Sequence, residues 1–238
     1  MVARAGLALA LLAGALAPLP GHAASFAPPP GCTLQLTAQL RQCQVANVYT
    51  CTGDAPGDRW TAFSNGKGPF YLSRIDAETR WMESIDLETG ETDRLEPRAA
   101  DHASFSALIA TGRDDYDFVT RSGTGELRRY RGFDAMTGET VVIDGVRLER
   151  VAFEIAAFDE TGAVISRREG MQLIHRDWRL FFADTETFEN AVGERVATAQ
   201  PPASFALPGE DGFGAAEPIF DCDVLMTGTP TPTIRPTL

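Results

Sequence analysis

Val141-Val142-Ile143-Asp144-Gly145-Val146-Arg147-Leu148 sets the reading of the whole chain. Two runs rich in β-branched residues flank Asp-Gly. A two-residue hairpin turn needs positive φ at both central positions, which Asp tolerates and Gly adopts without steric cost. A β-hairpin is therefore predicted here.

Outward from this point, about residues 70–183, short β-branched and aromatic runs alternate with turn signals. The phrase Asp86-Leu87-Glu88-Thr89-Gly90-Glu91-Thr92 returns as Asp134-Ala135-Met136-Thr137-Gly138-Glu139-Thr140, with shorter versions at Thr124-Gly125-Glu126 and Asp159-Glu160-Thr161-Gly162. Their irregular spacing excludes a repeat protein, and each is read as a hairpin turn. Between turns the pattern has period two. Val151, Phe153, Ile155 and Ala157 alternate with Ala152, Glu154 and Ala156, while Val146 and Leu148 lie in the opposite phase. The slip across Glu149 and Arg150 predicts a β-bulge or bend. Near the N-terminus Leu34, Leu36, Ala38 and Leu40 alternate with Thr33, Gln35, Thr37 and Gln39, a strand pattern, although Leu36, Leu40 and Cys43 also have helical spacing. The best helix candidate is 186–199, where Phe188, Val192, Val196 and Ala199 recur. Residues 201–220 are rich in Pro and Gly and read as irregular loop.

The fold class that follows is all-β: an antiparallel hairpin meander forming a barrel or a strongly curved half-barrel, with at most one or two short helices. Curling of this kind limits bare sheet edges. A two-sheet β-sandwich is the alternative.

The ends read differently. Residues 1–23 have a basic start, an Ala/Leu-rich run and Gly21-His22-Ala23, the pattern of a cleavable secretory signal peptide. Residues 24–31 form a flexible leader, 32–226 a single β-rich domain, and 227–238 a disordered Thr/Pro-rich tail. Export places Cys32, Cys43, Cys51 and Cys222 in an oxidising periplasmic or secreted setting, so two disulfides are expected. Loop-closure entropy marginally favours Cys32–Cys43 with Cys51–Cys222.

With 33 acids against 21 basic residues and a net charge of −12, the chain is unsuited to nucleic acid, which needs a basic surface. No apolar run is long enough for a transmembrane helix. Residues 121–182 balance their arginines and acids, and Arg128, Arg129 and Arg131 are expected to pair with acids across the ladder.

The search for chemistry gives little. His102, in Asp101-His102-Ala103-Ser104, reads as a polar loop leading into a strand, since no Gly-x-Ser-x-Gly elbow accompanies it. His175 reads as a strand histidine, and no zinc spacing occurs. Asp114-Asp115-Tyr116-Asp117 reads as a solvated acidic face rather than a calcium loop. No catalytic, cofactor or metal residue is assigned. Phe133, Phe153, Ile155, Trp178 and Phe181 could fill a core or line a pocket for an apolar ligand.

In architecture alone the reading is similar to exported β-rich envelope proteins of the lipocalin or lipoprotein-carrier kind. The expected function is a non-catalytic envelope protein that binds a hydrophobic or lipid-like ligand or assists envelope assembly with another envelope protein. The rival readings are a hydrolase using carboxylates or His102 and a purely structural interaction module.

Overall fold

The computed structural model describes residues 25–223. The expected signal peptide and the expected tail from 227 lie outside the described residues. In chain order the strands are β1 (Cys32–Leu40), β2 (Gln44–Cys51), β3 (Arg59–Asn65), β4 (Gly68–Ile75), β5 (Trp81–Asp86), β6 (Thr92–Leu95), β7 (Arg113–Ser122), β8 (Leu127–Ile143), β9 (Val146–Phe158), β10 (Val164–His175), β11 (Leu180–Asn190), β12 (Arg195–Ala199) and β13 (Pro202–Ala206). One short helix, α1 (Phe105–Thr111), precedes β7.

All thirteen strands join one antiparallel sheet, so the meander is correct and the sandwich is not formed. From β1 to β12, each strand pairs with its neighbour in sequence. β13 instead returns to the far edge and pairs with β1, Thr37 opposite Ala206. The hydrogen-bonded sheet is not closed, yet its two edges are separated only by Gln200 and Pro201.

Two mid-strand glycines let the long strands approach closely. A Cβ on Gly132 of β8 would lie 2.1 Å from the Glu154 carbonyl oxygen, and one on Gly170 of β10 would lie 2.1 Å from that of Thr185. Only glycine allows the backbones to meet there. Asp144 and Gly145 both take positive φ, 49° and 77°, as the hairpin reading requires. Asp144 Oδ2 also accepts from the Phe205 N–H, fixing this hairpin tip against β13.

The phase slip in β9 has a structural cause. Three residues of β8, Thr137, Gly138 and Glu139, bulge out opposite Arg150, between the pairs Met136–Val151 and Thr140–Glu149. Leu148, before the slip, belongs to the largest core cluster with Leu36, Phe63 and Phe182. Val151 packs with Phe105 and Leu108 of α1, and Phe153 and Ile155 pack with Tyr116 and Phe118. The bulge thus passes one strand from one core to the next.

Several expectations need correction. The 134–140 phrase is this bulge rather than a hairpin turn, although 86–91 and 159–163 do form turns capped by Asp86 and Asp159. The 186–199 helix is replaced by β11, a tight turn and β12. Asn190 Oδ1 accepts from the N–H groups of Val192 and Glu194, and Gly193 has φ 83°. Phe188 and Val196 are cross-strand partners, so their apparent helical spacing is a hairpin register. Residues 202–206, read as loop, form β13 because they find a free strand edge.

The disulfide pairing is also corrected: the bonds are Cys32–Cys51 and Cys43–Cys222. Cys32 and Cys51 face each other in the β1–β2 register, whereas Cys43 lies beyond β1 at the turn, removed from Cys32 by the strand's length. Geometry therefore overrides loop length.

At the expected flexible leader, Ser25 bridges Ala215 and the Phe26 N–H donates to Gly214 O at 2.7 Å. The polar stripe of β1–β2 is covered by the segment after β13. Thr37 donates to Asn47 at 2.7 Å and accepts from Gly214 N–H. Asn47 donates to Ala215 O, and Gln39 donates to Glu217 O and accepts from Ile219 N–H. These buried amides and hydroxyls are satisfied by irregular backbone, which would otherwise lack partners.

Candidate functional site

The strands from β4 to β11 all contribute side chains to one cleft of about 330 Å³. In a flat sheet, β4 and β11 would stand roughly 34 Å apart, at the usual strand spacing. Tyr71 of β4 and Phe188 of β11 line the same cleft, so the sheet curls around it.

One wall is aromatic. Trp81 makes edge-on contacts with Phe118 and Tyr130 at 5.5 and 5.4 Å, and Phe118 stacks on Tyr130 at 5.3 Å. Ile155, Ala157 and Ile165 extend this apolar surface. Arg168 and Phe188 also line the cleft, the guanidinium 5.4 Å from the ring. Burial raises the Tyr130 phenol above its ordinary pKa, with help from the Asp93 charge, so it enters the site as a neutral hydroxyl.

The charged groups of the cleft are matched. Arg128 donates to Glu91 at 2.7 Å and to Asp93 at 3.0 Å. Burial pulls Arg128 down, but the Glu91 hydrogen bond and the Asp93 and Glu91 charges carry it above the ordinary value. Glu83 meets Arg94 at 2.8 Å and Arg74 at 3.4 Å, and Arg168 lies 3.6 Å from Glu186. The arginine row 128–131 is thus ion-paired as expected, with Arg129 and Arg131 both on Asp117.

A second group lies where the start of β7 meets the middle of β8. Asp114 and Asp134 are register partners. β7 buries its even residues, so Asp114 points inward with Tyr116 and Phe118 while Asp115 and Asp117 point outward. The solvated acidic face therefore describes Asp115 but not Asp114, while Asp117 points outward into the Arg129 and Arg131 ion pairs. Asp114 Oδ2 accepts from the Ser104 N–H at 2.7 Å, at the N-cap of α1. Desolvation raises Asp114 to about 6 against that hydrogen bond, with the charges of Asp101, Asp115 and Glu78 pushing the same way. Desolvation and the Asp114 charge raise Asp134 to about 7. The void beside Asp134 is small, about 30 Å³ against about 330 Å³ for the cleft.

Glu78 anchors α1 from outside. It accepts from Ser104 Oγ, Ser106 N and Ser106 Oγ, and from Arg179 at 2.8 Å. Burial pushes Glu78 up, but these hydrogen bonds and the Arg179 charge outweigh it and hold the carboxyl below its ordinary value.

The sequence candidates are scattered. Ile155 lines the cleft, whereas Phe153 and Phe181 line the small void beside Asp134. Trp178 stacks on His175 at 3.9 Å and packs against Phe205 at 5.5 Å in the largest core cluster. Phe133 lies under the Arg113 guanidinium at 3.9 Å. His102 is on a loop, 3.4 Å from Pro97 O. Sequence reasoning missed Tyr71, Trp81, Arg128, Arg168 and Phe188 as cleft residues. Period-two alternation places 128 with 130 and 166 with 168, but strand order alone could not tell which faces turn inward together.

Among the described residues no cluster of metal-ligating side chains occurs, and no helix is long and apolar enough to cross a membrane. Compared with known protein families, curated proteins and solved structures, the chain finds no match in any of the three.

Proposed function

We propose that the chain is an exported, non-catalytic binding protein that holds a small ligand in the concave face of its sheet. The supporting observation is the cleft itself: about 330 Å³, within the range of small-molecule sites, lined from eight consecutive strands with aromatic rings on four of them, Tyr71, Trp81, Tyr130 and Phe188. Two disulfides, one of them spanning nearly the whole domain, fit an oxidising compartment. The apolar or lipid-like ligand expected from sequence becomes an amphipathic one, because ion pairs share the wall with rings.

The hydrolase reading gains an acid pair with raised pKa values, but the void beside it is about a tenth the size of the cleft. Asp114 and Asp134 are better understood as the ground on which α1 docks.

Native mass spectrometry of protein purified from its own host tests the binding role. Wild-type protein is expected to carry a small-molecule adduct, and Ser166→Trp, which fills the cleft from β10, is expected to lose it. Wild-type protein that stays free of adduct even after equilibration with host envelope extract would refute the reading.

A further inference from the structure

The cleft's ligand class can be narrowed, on the reading that the cleft is the binding site. We infer that it takes a neutral, polyhydroxylated small molecule of the mono- or disaccharide kind, with one apolar ring face.

The charge pattern excludes ions. Two cations, Arg128 and Arg168, are balanced by Glu83 and Asp93 on the same wall. An anionic ligand would have to compete with Glu91 and Asp93 for Arg128, and a cation would compete with Arg74 and Arg94 for Glu83. Neither sign is in surplus, and electrostatic specificity needs one.

The polar lining excludes a bare alkyl chain. Ser73, Ser84 and Ser166 join the four charged side chains in the lining. Hydrocarbon laid against them would strip their water and return no hydrogen bond, leaving each polar group unsatisfied. A polyol returns those bonds. Its hydroxyls both donate and accept, so they can serve carboxylate, guanidinium and serine together. The apolar ring face then has Trp81 and Ile155 to cover it.

The test uses the full disulfide-bonded protein and isothermal titration with N-acetylglucosamine, maltose, cellobiose, decanoate and inorganic phosphate. The inference expects at least one saccharide to bind with millimolar or tighter affinity. Ser166→Trp and, independently, Phe188→Ala should each weaken that binding at least tenfold, so a misfolded single variant does not decide the result. Saturable binding of decanoate or phosphate that both variants abolish, with every saccharide silent, would overturn the ligand class and leave the cleft as a binding site. If no probe binds, the ligand class falls. If, in addition, host-purified wild-type protein carries no adduct, the binding reading falls with it.

Discussion

Replacing Asp134 by Asn should stabilise the protein above neutral pH and change little near pH 4. The Asp134 carboxyl is raised to about 7 by desolvation and the Asp114 charge, whereas an unfolded aspartate titrates near ~3.9. Below about pH 4 both states keep the proton, and the site contributes no pH dependence. Between about pH 4 and 7 the unfolded chain releases the proton while the folded chain retains it, so stability falls as pH rises. Above the folded pKa the full penalty stands. The rise from 3.8 to about 7 corresponds to at most about 4 kcal/mol. Asp134 is only partly buried as a residue, and screening reduces the figure to roughly 2–4 kcal/mol. In a domain of this size that shifts Tm by roughly 4–16 °C. The Asn variant should therefore melt higher than wild type by that amount at about pH 8, with the difference closing toward pH 4. Thermal melts of both proteins across this range, subtracted pairwise, give the answer. Subtraction removes the opposing contributions of Asp115, Asp117 and Glu149, whose folded pKa values are lowered and whose stabilisation is lost as pH falls. A difference that stays constant with pH, or an Asn variant less stable than wild type at pH 8, would refute the picture of a desolvated acid pair.

Other perturbations separate the remaining parts of the structure. Removing Cys43–Cys222, with a sequence separation of 179, should destabilise the chain by about 5 kcal/mol, and removing Cys32–Cys51, with a separation of 19, by about 3 kcal/mol in the chain-entropy picture; urea denaturation of the double-alanine variants compares them, and equal losses would count against it. Gly132→Ala should cost more than about 3 kcal/mol because its Cβ meets backbone, whereas Gly138→Ala, at φ 80° in open space, should cost only about 1 kcal/mol. Similar midpoints for the two glycine variants would argue against close strand approach at Gly132. Glu78→Gln should speed amide exchange in α1 by roughly tenfold or more, since it weakens bonds to Ser104, Ser106 and Arg179; unchanged exchange would mean that α1 is held by Phe105 and Leu108 alone.

The sequence made local structure legible where side-chain chemistry is local. Asp144-Gly145 specifies its turn through backbone φ alone, and the Leu148-to-Val151 phase slip announces a break in the ladder. What it concealed depends on distant partners. Phe188 and Val196 sit at a spacing shared by a helix and a hairpin, and only the turn at Asn190 and Gly193 decides between them. The alternation in β1 says nothing of what meets its polar side, which is covered by residues more than 160 positions later. The two Thr-Gly-Glu-Thr phrases have the same composition, but one closes a hairpin and the other bulges because β8 continues past it. The cleft was the least legible feature, since it exists only once eight strands have curled around it.

The segment 195–206 serves both margins of the sheet, its first half on β11 and its second on β1. A chain growing from its N-terminus can add hairpin to hairpin as far as residue 190, but both outermost ribbons then remain bare. Synthesis halted or proteolysis before residue 195 would release a molecule with two adhesive rims, each a template for self-association. The stretch 195–206 is therefore a guard against polymerisation as much as a piece of the domain.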